Sequence, residues 1–560
     1  VELILVVVGA IVVTAIAHRR GLEPALIIVV VGIAASFIPG FEAPELDSHI
    51  LLTVVLPPLL YSAALDFSFP TFLRNIRPIL GLGVGLVVVT AFTVAAVSSW
   101  LVVVPLTFGT ALVLGAIVAP PDAVTAVAVG RKLGLPRRVM AILTGESLIN
   151  DAAALTLFSI AVAQVAGSHT FIANPLLLFS YSAVVGPLVG AALGLVTLWI
   201  RKRLANPGLE TVQGLLVPFG AYIAAEELHA SGVLAVVVAG FVVGSGTLGA
   251  GYQTRLQERY VWNSVDVLLE AFVFAYIGLH LRFVLEDLRE AHESLTEVGV
   301  AALIVLAIVM LIRPVSVLIM FGRNELSRQV ESKLSVPAPV GGRGALGTRR
   351  RGKPQAKWRA LIDRRSLSWQ ENVVVSWTGM RGVVTLAAAA AIPVLTVDGE
   401  PFPERATIQA IAFVVSVGTL LIQGWTLPLL IRRLRLSNDE SGYEREETLK
   451  AERVVHDAAD EVLTEFRANP PEGLDPRILT EIRNTIARHS QDADEMPDPE
   501  ANTLRAEVFA ALYREVLAAQ RAALIAERDE GRIEDEAARA MLERLDLQEA
   551  GVSARLDSRF

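Results

Sequence analysis

A chain of 560 residues that is 53% hydrophobic and only 19% charged, with a mean hydropathy of +0.53, is too apolar for a soluble domain of its length. Its formal net charge of −8 argues against nucleic acid as a partner, and its lack of cysteine excludes disulfides, thiolate metal sites and cysteine nucleophiles without deciding the redox compartment. The composition is that of a membrane protein.

Crossing ~30 Å of hydrocarbon takes ~20 apolar residues. Thirteen stretches approach that length, at 1–17, 24–40, 49–65, 78–104, 107–130, 139–166, 176–200, 211–228, 232–248, 262–281, 298–321, 371–395 and 406–431. We number them spans 1 to 13. Span 1 has no basic region before it and no small-residue cleavage site after it, so it reads as a retained helix. Basic residues follow every odd-numbered span, from "HRR" after span 1 through "RKLGLPRR" after span 5 to "RRLR" after span 13, whereas the other loops are acidic or neutral. Because Lys and Arg are retained on the cytoplasmic side, the N-terminus is expected outside and the C-terminus in the cytoplasm of a cell-membrane protein.

Polar residues inside these spans are the functional candidates, since an ionisable group at the bilayer centre costs at least ~2.5–3.5 kcal/mol. Span 5 reads "GAIVAPPDAVTAVAVG"; Pro120 and Pro121 remove two backbone donors and break the helix, and Asp122 sits where a new helix N-terminus would favour its charge. A break in mid-membrane is tolerated where protein or water covers the freed backbone, and such breaks mark cation sites in secondary transporters. Span 6 carries "GESLINDAAALTLF". Ser147 and Asp151 share one helical stripe, with Glu146 and Asn150 on the stripe beside it. One stripe can face an ion while the other is held by a partner. In span 10, Asp266 and Glu270 lie four apart, either lining an ion funnel or facing water. Span 12, "VVVSWTGMRGVVTLAAAAAIP", places Arg381 near mid-membrane between Gly379 and Gly382. Arg381 must find an anion, and Glu146 is the leading candidate, because locking Asp151 to an arginine would neutralise it as a cation site. Spans 5 and 12 occupy matching positions if spans 1–6 repeat as 8–13.

Two segments differ from the rest. Residues 322–370 hold twelve basic and three acidic residues around "SVPAPVGGRGALGTRRRGKPQ". After residue 436, Asp and Glu outnumber Lys and Arg by 30 to 16 and the apolar spans stop. This tail, 437–560, reads as amphipathic helices forming a small bundle or packing on a partner. The basic segment suits anionic lipid, or else docks on the acidic tail.

The motifs "LPPLLYSAAL", "APPDAV", "GESLINDA", "EELHASGVLAVVVAGFVVG", "LLEAFVFAYIGL" and "WTGMRGVVTLAAA" occur here in the order found in a known family. The chain resembles the NhaP-type sodium/proton antiporters of the monovalent cation:proton antiporter-1 class across all thirteen spans, roughly 430 residues. The resemblance implies an all-α membrane protein with inverted repeats and two crossed discontinuous helices, 5 and 12. It implies a transmembrane antiporter domain over 1–436, with core spans 4–6 and 11–13 and dimerisation spans 1–3 and 7–10 of a homodimer, followed by a cytoplasmic helical tail. It implies further that Asp151 binds cation and proton in alternation, that Ser147 and backbone oxygen near Pro121 complete a sodium site beside Asp122, and that Glu146 with Arg381 holds Asn150. Where several relatives carry a sodium-ligating glutamate on span 3, this chain offers Ser62, with Asp66 one turn later.

The function expected is therefore exchange of Na+ (or Li+) for H+ across the cell membrane by alternating access, without a cofactor, with K+/H+ antiport as the alternative. It is expected to be electroneutral. With Glu146 assigned to Arg381 and Asp122 to the helix break, Asp151 is the single carboxylate left to exchange a proton for a cation. Asp122 and Asp151 as the dyad of an intramembrane aspartyl protease would make the chain an enzyme, but the Tyr-Asp and Gly-Leu-Gly-Asp motifs of that class are absent and Arg381 would have no role. A cation channel would need a repeated selectivity filter or a run of gating arginines, and the sequence has neither.

Overall fold

The structure, a computed structural model, describes residues 2–38, 50–101, 104, 106–122, 124–168, 172, 174–204, 206–334, 367–436, 440–468 and 503–557. These residues are almost entirely helical, and an isolated bridge between Leu395 and Pro401 is the only extended pairing among them. Long runs of Val, Leu, Ile and Ala in a solvent without water leave the backbone no partner but itself, which is the helix. Each of the thirteen apolar stretches falls on helix, and spans 5 and 12 each fall on two.

In chain order the helices are α1 (Glu2–Arg19), α2 (Pro24–Ser36), α3 (Leu51–Asp66), α4 (Phe69–Arg74), α5 (Ile76–Trp100), α6 (Phe108–Val118), α7 (Val124–Leu133), α8 (Arg137–Ala166), α9 (Pro175–Leu204) and α10 (Pro207–Glu227). They continue as α11 (Gly232–Gly246), α12 (Tyr252–Leu279), α13 (Leu281–Glu290), α14 (Leu295–Leu334), α15 (Trp369–Trp377), α16 (Val383–Ala390) and α17 (Arg405–Leu434). The last three are α18 (Glu440–Ala468), α19 (Thr503–Asp529) and α20 (Asp535–Asp557). Among the described residues, six helical segments are long and apolar enough to cross a membrane: Ile76–Trp100, Arg137–Ala166, Pro175–Leu204, Tyr252–Glu290, Leu295–Phe321 and Arg405–Leu434. Shorter apolar helices, including Phe108–Val118 and Gly232–Gly246, accompany them.

The chain divides into two compact units. The first, residues 1–203, 212–244 and 261–437, is built around α8, a helix of 30 residues and thus about 45 Å long, which packs against α5 and α6. Small residues set how closely these helices approach. A Cβ on Gly115 of α6 would overlap the Ala91 carbonyl of α5, so the two helices touch backbone to backbone there. On the face of α5 toward α8, the glycine-rich "GLGVGL" forms a wide π-helical turn, Gly81–Leu86, in which Gly83 faces the backbone of Glu146. The candidate residues of span 6 are thereby fixed from one side by backbone.

The second unit gathers residues 204–211, 245–260 and 438–560. Its core is a bundle in which Val455, Leu463, Leu517, Leu524, Met541 and Leu545 are buried together. The acidic helix α20 meets two basic residues of α12 here. Arg255 Nε donates to Asp546 Oδ2 at 2.6 Å, and Arg259 pairs with Glu543. Arg521 of α19 adds a second cation to Asp546 at 3.2 Å. Tyr252 OH donates to Ser553 Oγ at 2.9 Å. The tail unit thus includes two short segments from the preceding apolar region as well as residues after 436. The contact expected between the basic segment 322–370 and the tail lies outside the described residues, because nothing of 335–366 and no side chain of 322–334 is described.

The close approach of α5 and α6 is testable. Gly115→Val would force the helices apart or bend one of them, and overpacking of this kind costs ~1–3 kcal/mol. The purified variant should melt several degrees lower in detergent than the parent, and an unchanged melting midpoint would show that the approach is looser than described.

Candidate functional site

Two interrupted helices meet beside α8. The first interruption separates α6 from α7 at Ala119 to Asp122, where Pro120 and Pro121 supply no N–H. The second separates α15 from α16 at Thr378 to Gly382. They are bonded to one another, because the Asp122 amide donates to the Met380 carbonyl at 2.6 Å. Gly382 is required at this approach, since a Cβ there would overlap the Asp122 carboxylate. Asp122 uses Oδ1 to accept from the Val124 amide at 2.9 Å, which opens α7.

Arg381 spans the junction. Its Nε donates to the Val118 carbonyl at 2.9 Å, one Nη to the Ala119 carbonyl at 3.4 Å and the other to the Gly379 carbonyl. Its own amide donates to Thr419 Oγ1 at 2.9 Å. This corrects the expectation that Arg381 pairs with Glu146. The physical reason is the break itself: the last carbonyls of α6 have no following N–H groups to accept from and form the negative end of a helix dipole, so they bind the guanidinium in place of an acid.

Glu146 is held instead by Arg313 of α14. Both carboxylate oxygens are engaged, Oε2 accepting from Nη2 at 2.8 Å and Oε1 from Nη1, and the two side chains are about equally buried at 2% exposure. Arg313 Nε also donates to the Val375 carbonyl at 2.8 Å, tying α8 to α14 and α15. Arg313 carries in the sequence the same signal as Arg381, an arginine in the middle of the apolar "MLIRPVSV", and is the unexpected partner of Glu146. Beside Glu146, the fully buried Asn150 donates through Nδ2 to the Pro121 carbonyl at 2.5 Å, fixing the first interruption to α8.

Asp151, on the neighbouring stripe of α8, has no basic partner among the described residues. It lines a cavity of about 250 Å³ together with Ser147, Asp122, Asp66, Asp266 and Glu270, and among the described residues Arg131 is the one cation that lines it. Ser62 also lines it and donates to Asp266 Oδ2 at 2.6 Å, while Asp266 Oδ1 and Asp122 Oδ2 have no hydrogen-bond partner among the described residues. The structure therefore brings Asp151, Ser147, Asp122, Ser62, Asp66, Asp266 and Glu270 around one space. Glu146, Asn150, Arg381 and Pro121 do not line it. An array of carboxylate and hydroxyl oxygens around a cavity of this size suits a small hard cation, a proton, or each in turn.

The transmembrane sodium/hydrogen exchanger family matches residues 4–433. The chain belongs to that family. It is a multi-pass membrane protein, and its activity is cation/proton antiport, a transport function and not an enzymatic one. Among curated relatives, the Na+/H+ antiporter ApNhaP of Aphanothece halophytica is 28% identical over 81% of this chain and 77% of its own length. The low-affinity Na+/H+ antiporter NhaS1 of Synechocystis sp. is 28% identical over 75% of this chain and 71% of its own. Among solved structures, the sodium proton antiporter MjNhaP1 from Methanocaldococcus jannaschii shares the fold, with a TM-score of 0.56 over 78% of this chain and 98% of that one at 18% identity.

The exchange of ion-pair partners changes what mutation should do. Arg313→Ala leaves Glu146 buried and unpaired, so the antiporter should lose roughly 3–5 kcal/mol of stability. Glu146→Gln combined with Arg313→Ala should recover part of that loss in detergent melting curves. Glu146→Gln should give no such recovery in an Arg381→Ala background, and equal recovery in both backgrounds would contradict the pairing.

Proposed function

We propose that this antiporter exchanges Na+, or Li+, for H+ across the cell membrane, with Asp151 binding cation and proton in alternation. The observation that carries the reading is the sorting of the two acids of α8. Glu146 is neutralised by a bidentate arginine, whereas Asp151 faces the cavity with no basic partner among the described residues. A carboxylate withdrawn from water in this way needs a positive charge, and either a proton or a cation supplies one. Ser147, one turn before Asp151, offers a second oxygen to the same cavity, and Asp122 adds negative potential from the first interruption. Pro121, whose carbonyl accepts from Asn150, contributes by holding the interruption in place. Asp66, Asp266 and Glu270 line the same cavity and concentrate cations at Asp151, with Ser62 donating to Asp266.

In this reading the thirteen helical stretches make thirteen crossings, with the N-terminus outside and the tail in the cytoplasm. The two interrupted helices cross at mid-membrane between inverted repeats, and spans 1–3 and 7–10 form the interface of a homodimer. Alternating access then moves the Asp151 cavity from one face of the membrane to the other. No cofactor takes part.

Asp151→Asn should abolish exchange in proteoliposomes, read as loss of sodium-driven dequenching of a pH-sensitive dye, while the purified variant elutes and melts like the parent. Exchange at the parental rate would remove Asp151 from the mechanism.

The stoichiometry follows from the same sorting. Glu146 is committed to Arg313 and Asn150 carries no charge, so one carboxylate of α8 is left to trade a proton for a cation in each cycle. One positive charge then crosses in each direction, and a membrane potential, worth ~2.3 kcal/mol per charge per 100 mV, should not bias the cycle. A valinomycin-imposed diffusion potential should leave the sodium-driven rate unchanged after controls for potassium transport. If an inside-negative potential drives proton uptake against sodium exit, a second carboxylate of the cavity titrates as well, with Asp122 the first to substitute.

A further inference from the structure

Thr385 lies on the first turn of α16, just after the second interruption, and lines the cavity that holds Asp151, Ser147 and Asp122. It is 1% exposed, and its Oγ1 has no hydrogen-bond partner among the described residues. Several other helical threonines of this chain satisfy their hydroxyls within their own helix. Thr14, Thr93, Thr156, Thr211 and Thr426 each donate to the carbonyl four residues earlier, at 2.6–2.8 Å, as hydroxyls in apolar helices do.

The interruption takes that acceptor away from Thr385. The carbonyl four residues earlier belongs to Arg381, which lies outside the helix, and it already accepts from Ser416 Oγ at 3.2 Å. Thr90, Thr125 and Thr407 are also buried with unpartnered hydroxyls, but none of them lines this cavity. A buried hydroxyl without a partner destabilises the fold that contains it. Valine would fill the same volume without that penalty, and Val383 and Val384 stand immediately before it.

We propose that the Thr385 hydroxyl is a ligand of the transported cation, supplied by the second interrupted segment opposite the oxygens of α8. The inference rests on the Asp151 cavity being the cation site. A hydroxyl oxygen is a hard, neutral donor suited to a small alkali cation, and it adds a ligand without adding a charge to the cycle. The cation is then held from three separate stretches of backbone: Asp151 and Ser147 on α8, Asp122 at the first interruption and Thr385 at the second. Its binding reports on how the two interruptions sit relative to α8.

The test uses the full-length protein in proteoliposomes, with Thr385→Val, Thr385→Ser and Asp151→Asn measured beside the parent at one pH. Thr385→Val should raise the apparent KM for Na+ roughly tenfold as one ligand is lost. Its rate at saturating Na+ should stay close to the parent's, and Thr385→Ser should restore the parental KM. Because the hydroxyl has no structural partner, Thr385→Val should melt at or above the parental temperature in sodium-free buffer, while needing more Na+ for the same stabilisation. A parental KM in Thr385→Val overturns the proposal. So does failure of that variant to fold, a lower sodium-free melting temperature, or a loss shared by Thr385→Ser, since each would show a structural role. If Asp151→Asn exchanges like the parent, the cavity itself is misassigned. If Asp151→Asn is inactive and Thr385→Val keeps the parental KM, only the role of Thr385 falls.

Discussion

The first unit depends on one constraint: backbone polar groups freed by a helix break have no water to turn to in hydrocarbon. Pro120 and Pro121 create such a break between α6 and α7, and the loosened run from Thr378 to Gly382 creates another between α15 and α16. Each break supplies what the other lacks. Arg381, from the second, covers the Val118 and Ala119 carbonyls at the end of α6, and the Met380 carbonyl accepts the Asp122 amide. Neither interruption would be tolerable alone, and Gly382 lets them come close enough to complete each other. The local instability of each helix thus becomes a specific contact between them.

With Arg381 occupied by backbone, the charge of Glu146 needs another counter-ion, and Arg313 is placed for it. A bidentate pair buried on both sides is weak evidence of net stability, because desolvation offsets much of the attraction. Its value here lies in geometry: it binds α8 to α14 and, through the Val375 carbonyl, to α15 just before the second interruption. Asn150 performs the matching service for the first interruption through the Pro121 carbonyl. One stripe of α8 is thereby spent on fixing both interruptions, and the adjacent stripe, Ser147 and Asp151, is left facing the cavity.

Much of this was legible in the sequence, and for identifiable reasons. Apolar runs long enough to cross a bilayer satisfy their backbone as helix there, and the apolar stretches of the sequence fall on helix among the described residues, two of them on a pair of helices. A double proline inside such a run reads as a break without further information. The two stripes of α8 follow from its period, which is why Asp151 and Ser147 could be separated from Glu146 and Asn150. Partnership is different, because it depends on which helices are neighbours. Hydropathy places Arg381 and Glu146 in apolar spans but is silent on a pairing across the 167-residue separation of Glu146 and Arg313. The tail unit was hidden similarly. Arg255 and Arg259 read as basic residues of a short loop, and nothing local shows that Asp546 and Glu543 are their partners.

The polar atoms left over after this accounting are themselves informative. Glu146, Arg313 and the Arg381 guanidinium are bonded at several atoms each, at a depth where an unmet group would be costly. Asp122 Oδ2, Asp266 Oδ1 and Thr385 Oγ1 have no hydrogen-bond partner among the described residues, and all three belong to residues lining the Asp151 cavity. Arg313 and Arg381 engage the charges and freed carbonyls at the two breaks, whereas the open oxygens of Asp122, Asp266 and Thr385 lie around one carboxylate, where a bound cation would offset the cost of desolvating them. The bonds made by Arg313, Arg381 and Asn150 keep that place fixed relative to the breaks, so in the proposed mechanism the energy of binding an ion there would act on the arrangement of the two interrupted helices.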